Sequence, residues 1–342
     1  MTALTAPSSH PIEARVCFVP YHKQGINPPL PTAASWRFLK ENCNVTGVRL
    51  QYLYDDPTLW PDAFAAAYHG GMEVHGNFCV TDMSKSPTPT NIEDRAYGWM
   101  IDNLGWRMTS VSFGNEPGYT FGPDDVSGGG SRDYMKEYVE NFYLPFVRGV
   151  RRANPDIVIA GPDAESADIL QRFVDLVDVD QWLVHPYGEP ELSEGDGLDY
   201  ATMAGKNEKP GFLDVRKGSG PRPPLIISEI SHEEHASAKA RGQFGRLIAT
   251  DEEIDQLTAF SARMRDEFHA PVITLLQPEY FFTRVPVVLQ WPPPDPPKDP
   301  PDTWSTFAYG TPELSEAGKR LAAVFAPMKP AQGRPPGKGR RG

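Results

Sequence analysis

Cysteine is scarce in this chain: three residues in 342, Cys17, Cys43 and Cys79. An odd number cannot all pair, and none lies in a CxxC or CxxH, so neither a disulfide framework nor a thiolate metal site is supported. The three read instead as small hydrophobes inside apolar runs. No stretch approaches the roughly 18 consecutive apolar residues that a transmembrane helix requires. The first eleven residues are polar and lack the charged-then-apolar pattern of a signal peptide. The expectation is a cytoplasmic protein, or one released without a recognisable signal peptide. Neither GxGxxG nor GxxxxGK[ST] occurs, so the two common phosphate cradles are missing. Positive charge is in deficit, 33 Lys and Arg against 45 Asp and Glu, for a net −12. That balance argues against a nucleic-acid or anionic-membrane partner, since both need a cationic surface.

What the chain does have is rings, prolines and glycines: 11% aromatic residues, 36 Pro and 30 Gly. This composition suits a loop-rich fold with flat rings available for ligands, sugars among them. Two segments fall outside the general pattern. Residues 292–302, PPPDPPKDPPD, cannot supply ladder donors and read as an extended surface loop. Residues 327–342 carry Lys329, Arg334, Lys338, Arg340 and Arg341 with no acid, and read as a disordered basic tail. Residues 1–12 form an N-terminal tail, which leaves 13–326 as one catalytic-sized domain.

Within it, eight short β-prone runs lie at 14–20, 45–52, 72–80, 108–113, 157–161, 181–184, 224–228 and 271–276. They are too continuously apolar for half-exposed antiparallel strands and read as buried parallel ones. Amphipathic helical segments separate them at 33–42, 60–69, 91–103, 132–153, 167–177 and 251–268, and 315–325 closes the series. Eight alternations at steps of about 25 to 50 residues are the arithmetic of a (β/α)8 TIM barrel with some long βα loops. An open doubly wound sheet is the competing architecture, disfavoured by the absent Gly-rich first turn.

In such a barrel the chemistry sits at the C-terminal ends of the strands. Those ends supply Tyr21 and His22, Arg49 and Gln51, His75 and Asn77, Asn115 and Glu116, Asp163, His185 and Tyr187, Glu229, and Gln277 with Glu279. The set has no HxH on the first strand and no lysine at a central strand end. His232 to His235, HEEH, spaces its histidines three apart rather than four and reads as an acidic helix start. No metal or cofactor is implied. Glu116, in SFGNEPGY, is turned off the fourth strand by the proline that follows it. Glu229, in PLIISEIS, ends the seventh strand after a nearly all-apolar run. Two carboxylates facing one another across a barrel mouth can cleave a glycosidic bond, one protonating the leaving oxygen while the other stabilises or bonds the anomeric carbon. Asp163 and Glu279 stand in reserve.

These residues resemble the clan A glycoside hydrolases, retaining (β/α)8 glycosidases with an Asn-Glu pair after strand four and a glutamate after strand seven. Arg49 in GVRLQ is similar to their strand-two arginine, VHPYG with His185 and Tyr187 to their His-x-Tyr element, and LSEAGKRLAAVF to their terminal helix. The resemblance implies a retaining O-glycoside hydrolase acting on a β-linked oligo- or polysaccharide. It implies Glu116 as general acid/base, Glu229 as nucleophile, and Asn115 as the donor to the sugar 2-hydroxyl. Tyr187 would bond Glu229, Arg49 would set its charge, and His185 would line the same subsite, while Asn77 and Gln277 are read as substrate contacts from their places at strand ends. Where many relatives offer a strand-eight Trp as sugar platform, this chain has Gln277. Tyr280, Phe281, Trp291 or Trp304 would then replace it. A non-catalytic carbohydrate-binding or structural barrel derived from a glycosidase is the alternative reading.

Overall fold

The computed structural model describes residues 13–18, 30–53, 58–79, 89–102, 107–118, 134–186, 203–205, 209–219, 223–230, 251–268, 270–275, 278–286, 303–305, 307 and 311–326. Eight parallel strands close into a barrel in chain order: β1 (Glu13–Phe18), β2 (Val45–Leu53), β3 (Glu73–Cys79), β4 (Ser110–Phe113), β5 (Val158–Ala164), β6 (Gln181–Val184), β7 (Leu225–Ile230) and β8 (Val272–Leu275). Closure is made by β1 on β8, with Glu13 opposite Val272 and Val16 opposite Leu275. All eight expected strands are present, so the single-domain (β/α)8 class holds.

Helices α1 (Ala33–Cys43), α2 (Trp60–His69) and α3 (Pro89–Asp102) follow the first three strands. After β4 comes α4, a continuous helix of three pieces: Tyr134–Tyr138, a π-helical turn Val139–Tyr143, and Leu144–Ala153. Next are α5 (Ala167–Leu176), α6 (Asp251–Asp266) and α7 (Glu316–Val324). Between β6 and β7 the described residues include a short 3-10 turn, Phe212–Asp214. Local signals set several starts: the hydroxyls of Thr32, Ser166 and Ser315 accept from the backbone amides of Ser35, Ile169 and Gly318. The last helix, α7, packs against both α6 and α1 and so seals the helical ring. A small antiparallel pair, β9 (Arg284–Pro286) with β10 (Thr303–Ser305), flanks the proline-rich run, which itself lies outside the described residues, as do both tails.

Alternation along the strands separates two environments. Val48, Leu50, Val74, Phe78, Val111 and Phe113 belong to the large core between sheet and helices. Rings dominate it: Phe146 of α4 meets Phe78, Trp99 and Phe113 with centroids 5.3 to 6.3 Å apart. The intervening residues are polar and face one another across the barrel: Arg15, Arg49, His75, Asn77, Ser110, Ser112, Asp163, Ser228 and Thr274, all buried. A small apolar cluster, Ala160, Leu183, Ile226 and Val272, stands apart from the main core.

Two strands run further than the sequence suggests. β5 continues through Pro162 and Asp163 because its register slips between Ala160 and Asp163, where the proline's missing N–H breaks no ladder bond. β7 likewise slips between Ile227 and Ile230 and carries Glu229 inside the strand.

The aromatic layer supplies a direct stability test. Phe146→Ala removes a fully buried ring from among three others and is expected to cost about 3 to 5 kcal/mol, read as a lower urea midpoint at unchanged slope.

Candidate active site

The site is built outward from a fully buried ion pair. Arg49, on β2, has side-chain exposure of 1%, and Asp163, on β5, has 0%; Nη2 donates to Oδ2 at 2.7 Å. The other ends of the guanidinium reach upward. Nη2 also donates to Asn115 Oδ1 at 2.8 Å, and Nη1 donates to Glu229 Oε2 at 3.2 Å and to Cys17 Sγ at 3.1 Å. Asp163 in turn accepts from Asn77 Nδ2 at 2.8 Å, faces the Ser228 hydroxyl, and lies 3.5 Å from His185 Nε2. Burial by itself would push its carboxyl up, but the Arg49 guanidinium and His185 hold it well below the usual carboxylate range.

The backbone of Asp163 does a second job. Its carbonyl accepts the Glu116 N–H at 2.9 Å, and Asn115 pairs with Asp163 in an isolated parallel bridge just beyond β4. This holds Glu116 at φ 48°, a left-handed conformation unusual for a side-chain-bearing residue. Gly114, two residues earlier at φ 89°, is required for space as well: a Cβ there would meet the Tyr138 hydroxyl at 2.9 Å. That hydroxyl donates to Phe113 O at 2.7 Å, and the π-helical turn begins at the next residue of α4.

His185 follows β6 and is fully buried between acids. Nδ1 donates to Glu116 Oε1 at 2.9 Å, and Nε2 lies 3.9 Å from Glu229 Oε2. Burial opposes its charge, yet Glu229 above all, then Asp163 and Glu116, raise its pKa to about 10. It is therefore a cation at neutral pH, with both ring nitrogens protonated. His75 is the opposite case. Buried between the hydroxyls of Ser110 and Ser112, at 2.6 and 3.0 Å, it has no carboxylate bonded to it among the described residues, and burial with Arg15 nearby lowers its pKa to about 3.

The arrangement sorts the expected site residues. Asn115, Glu116 and Glu229 are half-buried and share one mouth of the barrel, while Arg49 and His185 lie beneath them. Asn77 has no exposed surface, and its amide nitrogen donates to Asp163, Ser112 and the Gly114 carbonyl. His185 and Arg49 are likewise enclosed, with the carboxylates as their neighbours. Asp163, the reserve carboxylate, is fully buried and accepts from Arg49 and Asn77. Tyr280 and Phe281 are core residues, 4% and 0% exposed, and offer no sugar platform. Tyr21, His22, Tyr187, Gln277, Trp291 and the HEEH stretch lie outside the described residues, and the side chains of Glu279 and Trp304 do as well. Sequence reasoning passed over Cys17, Ser112, Tyr138 and Glu165; the polar residues alternating within otherwise apolar strands were the signal that could have pointed to the first two.

No protein-family profile matches the chain, and no curated protein matches its sequence. Solved structures do match. The complex structure of a GH113 β-1,4-mannanase superposes with a TM-score of 0.52 at 11% identity, covering 92% of this chain and 98% of that one. A second GH113 β-1,4-mannanase structure gives 0.51 at 12% identity, with the same coverage. The chain shares the (β/α)8 barrel fold of these structures. In this barrel the Asn115–Glu116 pair follows β4, Glu229 lies near the end of β7 and Arg49 stands on β2.

Two outcomes follow from the buried network. Asp163→Asn leaves Arg49 without its closest anion and is expected to cost about 3 to 5 kcal/mol in denaturant unfolding. The histidines should differ in sign. A raised folded pKa gives stability that is full below about 6.5 and lost as pH rises through about 10, so the deficit of His185→Gln against wild type should shrink across that window. For His75→Gln the stability at stake is present above 6.5 and lost as pH falls toward 3, so its deficit should shrink on acidification. Thermal melts from pH 4 to 10 read both.

Proposed function

We propose that this protein is a retaining O-glycoside hydrolase that cleaves a β-linked oligo- or polysaccharide by double displacement, with Glu229 as nucleophile and Glu116 as general acid/base. The observation that carries the reading is that one imidazolium, His185, lies within 2.9 Å of Glu116 and 3.9 Å of Glu229, so that two half-buried carboxylates share one mouth of the barrel. The fold shared with β-1,4-mannanases supports a β-linked glycan as the substrate class.

Each residue then has a physical task. Arg49 Nη1, donating to Glu229 Oε2, holds that carboxylate in place at the mouth. Glu229 attacks the anomeric carbon while Glu116 gives its proton to the departing glycosidic oxygen; the C–O bond breaks and a glycosyl ester forms on Glu229. Glu116, now a carboxylate, takes a proton from water. The water oxygen attacks the anomeric carbon, the ester bond breaks, and Glu229 is regenerated as an anion. Asn115, held by Arg49, is positioned to hydrogen-bond the 2-hydroxyl, where contacts strengthen in the transition state.

In a solved sugar complex the two carboxyls should stand about 5 to 5.5 Å apart, against about 6.5 to 9.5 Å for an inverting pair. Kinetics on a panel of aryl β-glycosides and polysaccharides tests the roles. Glu229→Ala should abolish hydrolysis of every substrate, with azide restoring part of it and giving inverted product. Glu116→Ala should spare glycosylation by activated aryl leaving groups, which need no proton, yet slow turnover of the intermediate. Full activity of Glu116→Ala on an unactivated glycan, or turnover by Glu229→Ala without azide, would refute the assignment. A wild-type chain that binds glycans and cleaves none would favour the carbohydrate-binding alternative.

A further inference from the structure

Glu165 is a carboxylate that the mechanism above leaves unused. It stands one residue beyond β5, and because Asn115 bridges to Asp163, the exits of β4 and β5 run side by side. Glu165 is thereby brought against the turn that carries Glu116. The fit is close: a Cβ on Gly118 would lie 1.8 Å from Glu165 Oε1, so only a glycine leaves the carboxyl its seat against the Gly118 backbone amide. Oε2 is enclosed and has no hydrogen-bond partner among the described residues. The groups facing Glu165 come from three elements: Glu116 after β4, His185 after β6, and Tyr138 of α4. They are an acid, a cation and a neutral phenol.

We propose that Glu165 is a positioning residue for Glu116: its carboxyl clamps the 115–118 turn through Gly118, and its ionisation places a negative charge beside the acid/base. The proposal rests on the reading of Glu116 as acid/base. Glu116 occupies a backbone conformation that a glutamate resists, held on one side by the Asp163 carbonyl and braced below by Tyr138 on Phe113. Glu165 supplies the remaining side. The charge argument runs the same way. The His185 cation, 2.9 Å from Glu116, favours the carboxylate form, whereas a general acid must keep its proton until the leaving oxygen takes it. An anion at Glu165 opposes that pull. Burial, with the Glu116 charge adding to it, raises the Glu165 pKa to about 7, so this counterweight switches near neutrality.

Glu165→Gln, Glu165→Ala and Gly118→Ala in the full chain test the proposal by three measurements. In melts from pH 4 to 9, an acid with a raised folded pKa contributes stability that is full below about 4.5 and lost as pH rises through about 7. Glu165→Gln should therefore match wild type near pH 5 and melt higher than it at pH 8. Amide hydrogen exchange in 114–118 should quicken about tenfold or more in Glu165→Ala and Gly118→Ala, and much less in Glu165→Gln, which keeps an acceptor for Gly118. In kinetics, the alkaline limb of kcat/KM should move down by about half a unit or more in Glu165→Gln, since Glu116 loses its neighbouring anion. Glu165→Ala and Gly118→Ala should lose about tenfold or more in kcat on an unactivated glycan and less on an activated aryl glycoside. Parallel melting curves for Glu165→Gln and wild type, with unchanged exchange in Glu165→Ala, would overturn the clamp. Altered melts and exchange with an unmoved pH profile and leaving-group dependence would make Glu165 structural only, and also overturn it. If the melts and exchange behave as expected while the wild type cleaves no glycoside, the clamp stands and the glycosidase reading fails.

Discussion

The pairing of Arg49 with Asp163 governs the upper half of the barrel. Two opposite charges without solvent access must satisfy one another, and any hydrogen-bonding capacity they have left must find partners nearby. Here that remaining capacity is what positions the mouth. The free edges of the guanidinium fall on Glu229 and Asn115, and the remaining faces of the carboxylate fall on Asn77 and His185. A pair of this kind contributes little net stability over an apolar substitute, so its value lies in fixing directions: each rim residue is tied to a group that cannot move without uncovering a buried charge.

The rest of the interior follows the same logic. The strands present apolar side chains to the helices and polar ones to the axis, so the barrel holds a hydrogen-bonded column where many barrels hold branched aliphatics. Its two histidines show that burial alone does not decide charge. Both are wholly enclosed; His75 meets hydroxyls and stays neutral, while His185 meets carboxylates and is held cationic. The neighbours, supplied by adjacent strands, make the difference.

Much of this was legible from the amino-acid sequence, and the exceptions have physical causes. The eight strands stood out because parallel strands covered on both faces read as apolar runs. Arg49, Asn115, Glu116, His185 and Glu229 stood out because they end such runs. The fifth strand was read as ending at residue 161 because Gly161 and Pro162 punctuate like a turn; a register slip lets the strand continue past them and draws Asp163 inside. Asn77 was placed correctly at a strand end, but nothing in one sequence shows that its neighbours would consume its amide. The clamp formed by Glu165 and Gly118 depends on two exits lying side by side, a juxtaposition made by residues 47 positions apart in the chain.

The three unpaired cysteines acquire a meaning from the same enclosure. Cys17 lies against Arg49, Cys79 donates to Asn77 Oδ1 at 2.6 Å, and Cys43 closes α1; all are buried. Burial pushes the thiols of Cys17 and Cys43 up to about 12 and that of Cys79 higher still, even with a guanidinium nearby. Thiolates are the reactive species, so these buried neutral thiols should react slowly with alkylating agents and mild oxidants while the molecule stays folded. A thiol reagent then becomes a clock for the opening of the barrel. Two of its three targets lie on strands beneath the carboxylates, so the label counts the moments when the floor of the site comes apart.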